Sequence, residues 1–172
     1  MSIPPTTVHL PLPQWAYVPG ESAEAEADYE TLAQAKLLVP SRFHGFVPAP
    51  HPALRYAIWL NDHGYFWESQ EILEAVWAAA PQGGRERILL RACIQIANAN
   101  LRLRMQKPHA AARFFGEALG EFNMLGLKAT APGDGFVDAF PTAVLVELLK
   151  AKLAQSSLSK ADWVKLGAIG RI

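Results

Sequence analysis

Cysteine is nearly absent from this sequence. The single one, Cys93, rules out an intrachain disulfide. It sits in RACIQIA, an apolar helical pattern, where a thiol is expected to be buried and inert rather than nucleophilic. Charge of either sign is also lacking in excess, because 16 basic residues balance 16 acidic ones. A nucleic-acid binder usually carries a basic excess, and an anionic membrane surface attracts a polybasic run, so neither partner is expected. No apolar run approaches the roughly 18 residues of a membrane span. The opening MSIPPTTVHLPLPQW has no basic region followed by a continuous apolar run, so it is not expected to be a signal peptide. A cytoplasmic protein of one domain is the expectation. Strand signals are missing too: nowhere do β-branched residues alternate with polar ones.

What the chain does have is proline at the front and helical pattern behind. Nine of the 13 prolines fall within the first 52 residues. Proline lacks the N–H and the φ freedom of a helix, so residues 1–20 are expected to form an extended arm. Leu10, Leu12, Trp15, Tyr17 and Val18 give that arm apolar side chains worth burying, against the helical body or a partner subunit. Residues 22–38 read as a helix that Ser22 can cap and Pro40 stops. SRFHGFVPAP then forms a rigid connector.

Helices are expected at His51–Asp62, Tyr65–Ala80, Glu86–Gln106, from Pro108 onward, and in PTAVLVELLKAKLAQ after the APGDGF break. SKADWVKL is expected to be a last helix, with capping-box spacing between Ser159 and Asp162. The loops between residues 51 and 127 are short, so neighbouring helices should pack antiparallel. The expected architecture is an all-α, compact antiparallel bundle. Residues 1–50 would supply the arm, a helix and the connector, and residues 51–172 the bundle.

The stretch GYFWESQEILEAVW, residues 64–77, carries the candidate chemistry. With Phe66 at zero and an advance of about 100° per residue, Trp77 falls near ~20°, Gln70 near ~40°, Glu74 near ~80° and Trp67 near ~100°. Gln70 and Glu74 would then lie within or beside the apolar face, and Glu68 opposite, in solvent. A buried amide or carboxylate without a partner costs about 1–3 kcal/mol or more, so partners should exist. The next helix offers Arg91, Gln95, Asn98 and Arg102 as one polar stripe on an otherwise apolar rod. That stripe would face either water or a buried network, with Glu74 against Arg91 and Gln70 against Gln95 or Asn98.

These motifs, GYFWESQEILEAVW followed by RACIQIANANLRLR and PHAAARFFGEAL, resemble the domain of unknown function 309 family over residues 51–127. The resemblance implies an all-α bundle, as in bacterial members, some of which also carry an arm like LPQWAYVPG. The family signature has a histidine, a glutamate and a tryptophan spaced H-x-x-x-E-x-x-W, for which metal binding has been suggested. The glutamate corresponds to Glu74, the tryptophan to Trp77, a preceding glutamate to Glu68 and the second-helix glutamine to Gln95. The histidine position is occupied by Gln70, and an amide oxygen is a weak ligand for the metals imidazole favours.

A metal would need replacement ligands from His63, His44, His51 or His109, none of which has another histidine at i+4. No cofactor is expected, a divalent ion at Glu71 or Glu74 being the residual option. Glu71 and Glu74 form an i, i+3 carboxylate pair. Trp59, Trp67 and Trp77 with Tyr56, Tyr65 and Phe66 would make either core or an aromatic pocket. Arg91 and Arg102 would bind a small anion or form salt bridges. Two functions remain: a non-catalytic binding or scaffold module, using the arm for dimer or partner contacts, and a metal-assisted or carboxylate-dependent hydrolase-like enzyme at Gln70 and Glu74. The first expects Glu74 to meet Arg91 or Gln95. The second expects an open pocket at Glu74 on which His63 converges.

Overall fold

The computed structural model describes residues 10–21, 27–127 and 135–167. Seven α-helices follow one another among these residues: α1 (Tyr29–Lys36), α2 (Pro52–Asp62), α3 (Phe66–Ala79), α4 (Arg85–Arg104), α5 (Pro108–Leu127), α6 (Phe136–Ala139) and α7 (Thr142–Leu153). No strand forms among them, and one isolated bridge pairs Pro48 with Gly135. The all-α expectation holds.

Local chemistry sets the helix ends. Asp28 caps α1 by accepting from the Thr31 N–H at 3.2 Å. The expected start at Ser22 lies outside the described residues. His51 caps α2 through Nδ1, with Pro52 at the first helical position, where its missing N–H costs nothing. Gly64 turns the chain from α2 into α3 with φ +91°, a conformation that side chains bearing a Cβ rarely adopt. Gln106 takes the left-handed position past α4, at φ +59°, and the Lys107 N–H closes the end on the Arg102 carbonyl at 2.8 Å.

The core runs through the helices on fully buried Leu54, Leu60, Ile72, Leu73, Leu89, Leu90, Ile96, Phe115 and Leu145. Helix α4 is the central rod, packed against α3 on one side and α5 on the other. Its apolar circumference has that cause: it must bury several faces at once.

Two extended pieces complete the body. The arm, residues 10–18, lies along α2 and α3 with Pro13 and Val18 buried. The end of the described chain departs from expectation. SKADWVKL is not a helix but a single 3-10 turn, Lys160–Asp162, with the Ser159/Asp162 capping box present, followed by a non-helical stretch that bends at residues 166 and 167. Val164 and Leu166 point inward and Lys165 outward, the two-residue alternation of an extended chain.

Candidate functional site: two backbone clamps on helices 2 to 4

Helix α3 is turned relative to the expected phase. Its buried residues are Phe66, Glu68, Ser69, Ile72, Leu73, Val76 and Ala79. With Phe66 at zero these centre near ~275°, about 125° from Gln70. Trp77 sits at the margin of the buried face and Trp67 on the far side, against Tyr17 and Tyr29, both only partly covered. Tryptophan commonly takes such positions because it is large and has a polar N–H, so it marks the face poorly.

Two expectations are therefore corrected. Glu74 is exposed, Gln70 is half-buried, and the described ion pairs do not join Glu74 to Arg91. Glu68, expected in solvent, has 0% exposure.

The remaining candidates scatter. Glu71 pairs with Lys36 at 3.0 Å instead of acting with Glu74. His63 stacks on Trp59 at 3.7 Å, with Nδ1 2.8 Å from the Trp59 carbonyl, and does not converge on Glu74. Arg91 lies over Trp77 at 5.3 Å and lines an open depression of about 210 Å³ with Arg87, Gly84 and Glu121. Arg102 lies apart, over Phe114 and donating to Met105 Sδ. Gln95 and Asn98 are half-buried on the same outer side. The aromatics divide between neighbourhoods and do not line one pocket: Trp59 with His63 and Tyr65, Trp67 with Tyr17 and Tyr29, and Phe66 with Trp163. Among the described residues no group of three or more His, Cys, Asp or Glu side chains stands together as a metal site would need. Cys93 is fully buried, and burial pushes its thiol far up from its ordinary range.

The structure instead assembles two clamps. The first holds the arm. Tyr56 on α2 donates its hydroxyl to the Pro11 carbonyl at 2.7 Å. Asp28, ahead of α1, accepts from the Gln14 N–H at 3.1 Å, and Glu68 on α3 accepts from the Tyr17 N–H at 2.8 Å. The contacts fall on every third residue of the arm, the repeat of a polyproline II chain, although the backbone bends at Gln14 and Trp15. Tyr17 and Tyr29 approach Trp67 edge-on at 5.2 and 5.6 Å. Glu21 beyond the arm pairs with Arg104 at 2.9 Å.

Electrostatically the first clamp is strained. Burial pushes the Glu68 carboxyl above its usual range, against the pull of the Tyr17 N–H, and the negative charges of Asp28 and Glu71 add to the rise. Its second oxygen, Oε1, is buried with no hydrogen-bond partner. Burial likewise raises the Tyr56 hydroxyl to about 12.

The second clamp holds residues 163–167. Asn100 on α4 grips one residue at two points: its Oδ1 accepts from the Val164 N–H at 2.7 Å, and its Nδ2 donates to the Val164 carbonyl at 2.8 Å. The same amide donates to Asn61 Oδ1 at 2.8 Å, and Asn61 Nδ2 donates to the Val164 carbonyl at 3.1 Å. Asp62 takes the Leu166 and Gly167 N–H groups at 2.6 and 2.7 Å. Both asparagines have 0% exposure. The clamps meet at Phe66, which packs with Val18 of the arm, Leu101 of α4 and the ring of Trp163.

Asn61, Asp62 and Asn100 were not singled out from sequence. The signal was present in WLND and ANANL, where an asparagine follows apolar residues in a helical pattern and so must find partners if buried. A further buried polar side chain serves the connector. Glu86, in the first turn of α4, is 7% exposed, and burial raises its carboxyl to about 7 although the Val137 and Val47 N–H groups pull the other way. A Cβ on Gly135 would come within 2.7 Å of its Oε1, so only glycine fits beside it without displacement.

Fold and site thus define an all-α bundle whose helices α2–α4 grip extended chain by its backbone. The family model described as "Domain of unknown function (DUF309)" matches residues 54–114, and the chain resembles that family over this stretch. No curated protein and no solved structure matches the chain. Tyr56, Asn61, Asp62, Glu68 and Asn100 all lie inside the matched stretch, whereas both gripped segments lie outside it.

Proposed function

We propose that this protein is a non-catalytic binding module in which α2–α4 form a platform for extended peptide segments. One observation carries the proposal. The buried polar side chains Asn61, Glu68 and Asn100 turn their hydrogen bonds largely to backbone groups of segments from outside the family-like stretch. Reading backbone polar groups with fixed side chains, while apolar pockets take alternate side chains, is how peptide-recognition modules hold extended ligands. The arm and residues 163–167 are resident ligands in cis, and a partner's segment would bind by displacing one of them.

The test uses the synthetic nonapeptide LPLPQWAYV, residues 10–18, labelled with fluorescein. The full-length chain carrying Tyr17→Pro loses the N–H that Glu68 accepts, so its own arm competes less. Anisotropy should show saturable binding to this chain, weakened about fivefold by Tyr56→Phe, which removes one hydrogen bond. Absence of binding at millimolar peptide would contradict the platform.

A further inference from the structure

We propose that the seat under the arm is a docking groove for an extended segment of a partner protein that presents an arginine to Glu68, with the arm as its resident placeholder. The inference rests on the platform reading above and adds the chemistry of the ligand. Glu68 is wholly buried beneath the arm, yet the arm offers it a single N–H, and Oε1 has no partner at all. A carboxylate can accept several hydrogen bonds, so the resident occupant fits the groove in shape and leaves one of its oxygens unmet. Among the described ion pairs none includes Glu68.

Among the described residues, the charges that bear on Glu68 are negative. They are Asp28 and Glu71, and Glu71 is itself paired with Lys36. The same residue of the arm that bonds Glu68 through its N–H sets its ring against Trp67 at 5.2 Å. A guanidinium in the place of that ring would lie against an indole and within an acidic field. Arginine suits the groove better than lysine because its planar fork addresses both oxygens of one carboxylate, and it is less strongly hydrated. The rest of the ligand is set by what the arm already shows: a carbonyl for Tyr56 where Pro11 stands, an N–H for Asp28, and small apolar groups where Pro13 and Val18 are buried.

The experiment compares LPLPQWAYV with the same nonapeptide carrying Tyr17→Arg. Both are titrated onto the full-length Tyr17→Pro chain and onto that chain with Glu68→Gln. The arginine peptide should bind about tenfold more tightly to the chain with Glu68, and the advantage should vanish with Glu68→Gln, while LPLPQWAYV binds both chains alike. On the unsubstituted chain, where the arm competes, the same ranking should appear at higher peptide concentration. Equal affinities, or an advantage that survives Glu68→Gln, would overturn the inference and leave the platform standing. If LPLPQWAYV itself fails to bind, the platform falls and this inference with it.

Discussion

The two clamps do the same task with different chemistry. Residues 163–167 are held chiefly by asparagines, the arm chiefly by carboxylates and a tyrosine. An amide carries a donor and an acceptor, so Asn100 satisfies both the N–H and the carbonyl of Val164 and still reaches Asn61. A carboxylate only accepts. Glu68 therefore takes one N–H of the arm beside its own, keeps one oxygen without a partner and resists ionisation. The asparagines, with Asp62 taking the Leu166 and Gly167 N–H groups, thus leave residues 163–167 better satisfied than the arm, where a buried acid keeps one oxygen unmet.

The largest way to break this contrast is Asn100→Ala. It would leave the Val164 N–H and carbonyl and Asn61 short of partners in a dry interior, and about 3 kcal/mol of unfolding free energy should be lost in urea titrations. Asn98→Ala, two residues away on the half-buried side, should change stability by no more than about 0.5 kcal/mol.

The buried acids predict a pH dependence opposite to that of salt-bridged carboxylates. Glu86 stands at about 7 when folded, above its ordinary 4.5, so the folded state holds the proton more tightly. Its burial costs nothing extra below 4.5. The cost then grows as pH rises to 7 and is complete above it, reaching about 3 kcal/mol. Glu68, also raised, contributes in the same direction. Glu86→Gln should flatten the fall in stability between pH 4.5 and 7, which chemical denaturation at a series of pH values would reveal. An unchanged slope would mean that Glu86 ionises freely.

Smaller effects sharpen the comparison on the arm. Tyr56→Phe removes one hydrogen bond to the Pro11 carbonyl and should cost about 1 kcal/mol. Breaking the exposed Glu21–Arg104 pair with Glu21→Gln should cost about 0.5 kcal/mol or less. Glu74→Ala should fall within about 0.5 kcal/mol, as for any exposed side chain, in thermal melts of the purified protein.

The helical architecture was legible because punctuation in this chain is strong: Pro52, Gly64, the PQGG turn and Pro108 set helix ends to within a residue or two. Helix α3's rotation was not legible. The largest side chains suggest the wrong phase, because Trp67 and Trp77 lie outside the buried face while small Ser69 and Ala79 lie inside. The resulting error exchanged Glu68 for Glu74. The clamp on residues 163–167 was hidden for another reason. WVKL has the apolar spacing of either a short helix or an extended chain, and only Asn61 and Asn100, distant in sequence, decide between them.

Site-resolved hydrogen exchange on the full-length protein tests the platform most directly. The Gln14 and Tyr17 amides should exchange through local openings while the α2–α4 amides stay protected, and the Val164, Leu166 and Gly167 amides should be slower than those of the arm. Arm amides as slow as those of α4 around Ile96, all released in one global step, would contradict it: the arm would then be part of the core and not a ligand held in cis.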